Sequence, residues 1–353
     1  MLLATAQLDD ALALPSALID AAVLASGDLA LVCQGKAPDT VLFGVFAWPR
    51  PQPAEPIRAK HLVQLGGAGH GLIVANHHLE QALVMVHEPD SDQEASAFLY
   101  GVDGQRPLWR LGLERGPVSW PLCIGSQSIF VDPGVGLTGL SVDGHELWTA
   151  NLGAAPCTNL VQNQPGQVAV GLADGQLCVV GTDGGEVCRW RLEGPARALA
   201  SRGDGRLWSH DGQRLSLHHP DEPGARWSAA LEAVGSGAMV VDAHGNAVVP
   251  HAHGGVIEVS ADGQRQTRRL ERWSIAHLTA DASGAIIATS HDPQAQQPHG
   301  LVVWSLPHAP SDSRLANPYR LPERPIKLIS RAHELTVIME SGRIQTFRIA
   351  PAG

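Results

Sequence analysis

The chain has 353 residues and a formal charge of −10, with 25 Lys and Arg against 35 Asp and Glu. It contains no block of Lys or Arg, which argues against a nucleic-acid partner, since such affinity rests on clustered cations facing phosphates. The 38 Gly and 25 Pro suit short strands and turns rather than long helices, and a repeated β architecture of this length runs as one domain.

Residues 2–8 are a short apolar stretch with no neighbour in sequence to pair with. No Lys or Arg precedes Lys36, and Asp9-Asp10 interrupts the apolar run, whereas a secretory signal has a positive start and an unbroken apolar core. No apolar run approaches the roughly 20 residues of a membrane span. Cys33, Cys123, Cys157, Cys178 and Cys188 are odd in number and scattered, the pattern of small buried thiols in a reducing compartment. A cytoplasmic location is therefore the expectation.

From residue 99 onward one phrase recurs: an apolar strand, an Asp-Gly turn, then a strand carrying Trp. It reads Leu99-Tyr100-Gly101-Val102-Asp103-Gly104 with Leu108-Trp109, then Leu140-Ser141-Val142-Asp143-Gly144 with Leu147-Trp148. Val179-Val180-Gly181-Thr182-Asp183-Gly184 with Trp190 follows, then Asp221 with Trp227, and Asp262-Gly263 without Trp. The Asp residues are 40, 40, 38 and 41 positions apart, the period of four-stranded propeller blades. Asp-Gly is the favoured two-residue hairpin turn, so each phrase is read as the hairpin between the third (C) and fourth (D) strands of a blade.

Candidate C strands lie at 41–47, 97–102, 137–142, 177–182, 215–219, 256–261, 301–306 and 344–349. The expected fold is all-β: a single eight-bladed β-propeller of four-stranded antiparallel blades spanning 1–353. Seven blades is the alternative, if blade one or five is irregular. The last C strand lies too near the end of the chain for its own D strand. Residues 2–8 are therefore predicted to supply it, pairing with the terminal blade at 321–350, because an open ring would leave an unpaired edge and a wet apolar flank.

At these residues the chain resembles the quinoprotein-like, or PQQ-type, propeller repeat, with Leu99 to Trp109 the nearest copy. The resemblance implies an eight-bladed fold with two branches: quinone-dependent dehydrogenases and non-catalytic assembly lipoproteins. The dehydrogenases hold a metal and quinone in the channel, often beside a vicinal disulfide, and this chain has no adjacent cysteines. The lipidated Cys of the other branch also has no counterpart, the first Cys being Cys33. The fold and the non-catalytic branch are what the resemblance implies, and no cofactor is expected.

Among the 17 histidines, His251-Ala252-His253 would place two imidazoles on one strand face, with His244 in the same blade. They are candidate metal ligands, although a closed site needs four and nothing acidic or thiol-bearing adjoins them. Gly66-Gly67-Ala68-Gly69-His70-Gly71 is followed by the strand-like Leu72 to Ala75, not by the helix a phosphate loop requires. Gly235-Ser236-Gly237 lacks the spacing of a nucleophile elbow.

Departures from the repeat are the better functional signal. The connections between the second (B) and third strands lengthen at 34–40, 88–96 and 291–299, and those between the third and fourth at 48–56 and 307–318. These fall on blades seven, one and two, which in an eight-blade ring lie on the one arc of consecutive blades seven, eight, one and two. The candidate partner-binding residues are Trp48 and Arg50, the acidic Glu88, Asp90, Asp92 and Glu94, and His291 with Asp292. The reading is a non-enzymatic interaction scaffold in a bacterial cytoplasmic assembly. Its partners are other proteins, an ATPase or a von Willebrand-type module by analogy. The alternative is a ligand- or metal-binding propeller, an enzyme included, using the central channel.

Overall fold

A computed structural model describes residues 5–11, 17–35, 37, 40–48, 59–66, 71–76, 81–87, 97–102, 106–113, 122–132, 136–232, 234–235, 239–242, 244–270, 273–280, 285–292, 294, 296, 298–305, 318–331 and 334–348. Strand β1 (Thr5–Ala11) precedes the first blade. Blade one is β2 (Leu18–Val23), β3 (Leu29–Gln34), β4 (Thr40–Phe46) and β5 (Ala59–Gly66). Blade two is β6 (Gly71–Asn76), β7 (Gln81–His87), β8 (Ala97–Val102) and β9 (Pro107–Leu113). Blade three is β10 (Leu122–Ile124), β11 (Gln127–Asp132), β12 (Gly136–Leu140) and β13 (Glu146–Ala150). Blade four is β14 (Cys157–Gln164), β15 (Gln167–Leu172), β16 (Gln176–Gly181) and β17 (Glu186–Arg191). Blade five is β18 (Ala198–Ser201), β19 (Leu207–His210), β20 (Arg214–His218) and β21 (Ala225–Ala230). Blade six is β22 (Val240–Val241), β23 (Ala247–Pro250), β24 (Val256–Val259) and β25 (Arg265–Arg268). Blade seven is β26 (Ser274–Ala280), β27 (Ala285–His291), β28 (His299–Ser305) and β29 (Tyr319–Leu321). Blade eight is β30 (Pro325–Arg331), β31 (Glu334–Met339) and β32 (Arg343–Arg348), completed by β1.

The protein is thus an eight-bladed β-propeller, each blade a four-stranded antiparallel sheet. The ring closes as the strand pattern predicts, but three residues later in the chain. Strand β1 pairs antiparallel with β32, from Thr5 opposite Arg348 to Ala11 opposite Arg343. The inner strands β30 and β2 also meet, so the first and last blades are joined at both their inner and outer ends.

The core lies between the blades. The middle strands of the blades read as near-continuous buried runs, such as Leu29 to Cys33 in β3 and Val168 to Leu172 in β15, because both of their faces are covered by neighbouring sheets. Outer strands alternate, as Glu186 to Arg191 does, because only one face is covered. Leu18, Ala21, Leu29, Leu31, Phe46 and Trp48 pack against Ile338 and Ile344 across the closure.

The Asp-Gly turns differ from the expected two-residue form. Ser141 N donates to His145 O at 2.8 Å and Gly144 N to Ser141 O at 3.0 Å, so three residues, Val142 to Gly144, make the loop. The register slips by one between Gly139 and Leu140. This is the tight turn followed by a left-handed glycine and a bulge; it needs positive φ at one position only, here Gly144 at 77°. The same bonds recur at 181–185 and 260–264.

The repeated Trp locks each blade to the next. Trp109 of β9 donates its Nε1–H to Val142 O, in the turn of blade three, at 2.8 Å. Trp148 of β13 lies between Gly139 in its own blade and Gly184 in the turn of blade four; a Cβ on Gly139 would overlap the indole. Blade four departs from this. Val179 stands opposite Cys188, which takes the Trp slot, and the indole sits two residues along at Trp190, donating to Glu222 O at 2.9 Å.

Candidate partner-binding face

Antiparallel strands put the B–C turns and the links between blades on one face of the disc, here called the upper face, and the A–B and C–D turns on the lower. The long B–C connections 35–39, 88–96 and 292–298 leave the upper face of blades one, two and seven. With the ring closed between blades eight and one, these blades share one arc.

Arg50, Glu88, Asp90, Asp92 and Glu94 lie outside the described residues. Trp48 does not stand out as an exposed anchor: it is 8% exposed, in the core between the first and last blades. Its backbone N–H donates to Asp28 Oδ1 at 3.3 Å, and Asp28 also pairs with Lys60. An indole enclosed in this way contributes packing rather than a contact for a partner. The sequence places Trp48 at the edge of a long connection, and burial is the one fact that this position does not reveal.

His291 and Asp292 stand at the root of the blade-seven connection. His291 faces His299 across β27 and β28 with ring centroids 5.2 Å apart, and Asp292 N closes the loop by donating to Pro298 O at 2.7 Å. Partial burial, and then the neighbouring His291 and Arg324, hold His299 below the ordinary imidazole range, with Glu340 opposing.

His251 and His253 lie in the B–C turn after β23, not on a strand, because Gly254 and Gly255 bend the chain there at φ 91° and 90°. Their rings are 5.5 Å apart, and His251 Nδ1 accepts from the His253 backbone N–H at 3.1 Å. His244 follows β22 on the lower face, at the opposite end of β23. Among the described residues no group of three or more His, Cys, Asp or Glu could hold a metal ion. The two histidine pairs instead stand on adjacent blades of the upper face, beside the arc of long connections.

Two further constellations were not among the residues that the sequence singled out. Asp20 of β2 accepts from Ala21 N at 2.8 Å, from Ile73 N of blade two at 3.1 Å, and from Lys327 Nζ of blade eight at 3.1 Å. One carboxylate thus ties three consecutive blades at their inner strands. In blade five, Ser209 Oγ lies 2.9 Å from His218 Nε2, and the imidazole meets the Trp190 ring at 5.0 Å. A serine against an imidazole begins a nucleophile and base pair, but Ser209 is 1% and His218 2% exposed, so no substrate reaches them.

Burial pushes the His218 pKa down to about 4. Below about pH 6.5 the unfolded chain binds a proton that the folded chain refuses. The stability this residue contributes is therefore complete above that pH and is lost as pH falls toward 4. At about 1.4 kcal/mol per pKa unit the loss is about 3 kcal/mol. Denaturant midpoints of wild type and His218→Gln at pH 7.5 and 4.5 test this. The variant should lose about 2–3 kcal/mol less on acidification, and an equal loss in both proteins would refute the assignment.

No protein-family profile matches the chain, and no curated protein matches it by sequence. Solved structures do match its fold. The C-terminal WD40 domain of Sif2 superposes with a TM-score of 0.69 at 11% identity, covering 99% of each chain. BamB from Moraxella catarrhalis gives 0.66 at 11%, also over 99% of each. The computationally designed Ika8 protein gives 0.66 at 14%, over 96% of this chain and 98% of that one. At such identities the likeness establishes a β-propeller and nothing finer.

Proposed function

We propose that this propeller is a non-enzymatic protein-interaction scaffold of the non-catalytic PQQ-type branch, acting in a bacterial cytoplasmic assembly. The observation that carries the reading is the gathering of the long B–C connections onto one upper-face arc of blades seven, eight, one and two. Loops held by a rigid frame are where binding resides, and the strands that carry these connections, far apart in sequence, stand on one arc because the ring closes. Glu88, Asp90, Asp92 and Glu94 in the blade-two connection favour a partner with a basic surface. An ATPase or a von Willebrand-type module is the partner class suggested by analogy.

Reversing these four charges to Lys should leave the melting profile unchanged while cutting recovery of the partner in a pull-down by about tenfold or more, equivalent to about 1.4 kcal/mol. Recovery equal to wild type would refute this face as the binding surface.

A further inference from the structure

His291 ends β27 and His299 begins β28, and the two are direct partners across that strand pair. Side chains directly opposite one another lie on one face of a sheet, with Cβ atoms about 4.5–5.5 Å apart. By the two-residue alternation of strands, the same face carries Ile287 and Leu301, which pack with Leu335, Val337 and Phe347 of blade eight. The histidines therefore crown the interface between blades seven and eight at the upper face. Just beyond them the bond from Asp292 N to Pro298 O pins the two strand ends together, and Ser274 Oγ donates to His291 O at 3.1 Å.

His210, His218, His219 and His251 each engage a ring nitrogen in a hydrogen bond of their own. Among the described residues the ring nitrogens of His291 and His299 have none, and both side chains are half-buried, so their lone pairs are open to a ligand from solvent. Zn–N bonds of about 2.0–2.1 Å at a tetrahedral angle need the two donor atoms about 3.4 Å apart. Rings with centroids 5.2 Å apart reach that separation by rotation about χ2, a soft torsion in histidine. The charged groups that act on His299 from beside β30 and β31, Arg324 and Glu340, are of opposite sign, so an incoming cation does not meet positive charge alone. No third His, Cys, Asp or Glu joins the pair among the described residues, and the remaining coordination positions fall to water.

We propose that His291 and His299 form an open two-histidine site for a divalent transition metal, Zn²⁺ foremost, held by one ring nitrogen from each and completed by water. Imidazole ligands suit Zn²⁺, Cu²⁺ and Ni²⁺, whereas Mg²⁺ and Ca²⁺ take oxygen ligands. With two protein ligands in place of the four of a closed structural site, the ion is weakly bound and exchangeable. The site is separate from the His251 and His253 turn and does not depend on the partner-binding reading of the upper face.

The test follows the His291 and His299 ring resonances of the full-length protein, assigned with His291→Gln and His299→Gln, during titration with zinc chloride in a non-chelating buffer. The expected result is a saturable change at both rings with one midpoint, because one ion holds both, and no change with Mg²⁺ at the same concentrations. Each single variant should weaken the response of the remaining ring by about tenfold or more. His251→Gln should respond as wild type does. The wild-type titration and the His251→Gln control stand even if loss of His291 or His299 disturbs the blade-seven turn. Absence of a saturable change up to about 1 mM Zn²⁺, the range of a weak site, overturns the proposal. So does a change confined to one ring, a response that Mg²⁺ reproduces or that His251→Gln abolishes, or wild-type affinity in both His291→Gln and His299→Gln.

Discussion

Deleting residues 1–11 will strip the outer strand from blade eight and destabilise the whole ring, not one blade. Six positions of β1 are paired with β32, and each net hydrogen bond is worth at least ~0.5 kcal/mol, so the loss is about 3 kcal/mol or more. The deletion also exposes the edge of β32, a row of unpaired backbone donors and acceptors that invites association between copies. Melting should occur at a lower temperature, and more aggregate should form. A synthetic peptide of residues 1–11 added in excess should restore part of the lost stability, since binding to the folded state alone shifts the equilibrium. A melting profile identical to that of the full chain would show that closure rests on the inner contacts of β2 and β30 alone.

Replacing Arg268 by Met will cost about 3–5 kcal/mol, the range for removing one member of a buried ion pair. Arg268 Nε donates to Glu258 Oε1 at 2.7 Å, and the two side chains are 4% and 8% exposed. The second guanidinium nitrogen reaches Gln266 Oε1 at 3.1 Å, which holds the fork in place between β24 and β25. Loss of the cation takes a charge-assisted bond from a carboxylate that is itself only 8% exposed, and the weakened compensation for its desolvation is the larger part of the expected cost. The double variant Arg268→Met with Glu258→Leu should recover most of the lost stability, because two apolar side chains then replace both members of the pair. Denaturant titration of the single and double variants measures both values. A cost below about 1 kcal/mol for Arg268→Met would mean that the pair is not desolvated.

The strand pattern was legible because it is local. Each C strand announced itself by an apolar run ending at a turn, and observed strands such as β8 at 97–102 and β24 at 256–259 fall where that pattern places them. The lengthened connections were legible for the same reason, as interruptions of a known period. Details that depend on a neighbouring chain segment were not. Whether the Asp-Gly phrase closes in two residues or three depends on the bulge beside Gly139, and an isolated Asp-Gly fits either form. The burial of Trp48 depends on Ile338 and Ile344, nearly three hundred residues away.

The inner wall of the ring was hidden more completely. Asp20 interrupts the apolar run Leu18 to Val23, and that interruption was the one available hint of a buried role. Its partner Lys327 is separated from it by almost the whole chain, and no periodicity connects them.

The sequence by itself determined the repeat and the propeller architecture, favoured eight blades over seven, and pointed to an N-terminal strand as the one that closes the ring. Short-range alternation and turn chemistry act within about ten residues and survive in the linear order. The tertiary structure alone decided which side chains meet across the closure and which carboxylate ties three neighbouring blades together. Those outcomes follow from close packing between sheets, where a contact is set by the combined volumes and charges of residues far apart in the chain.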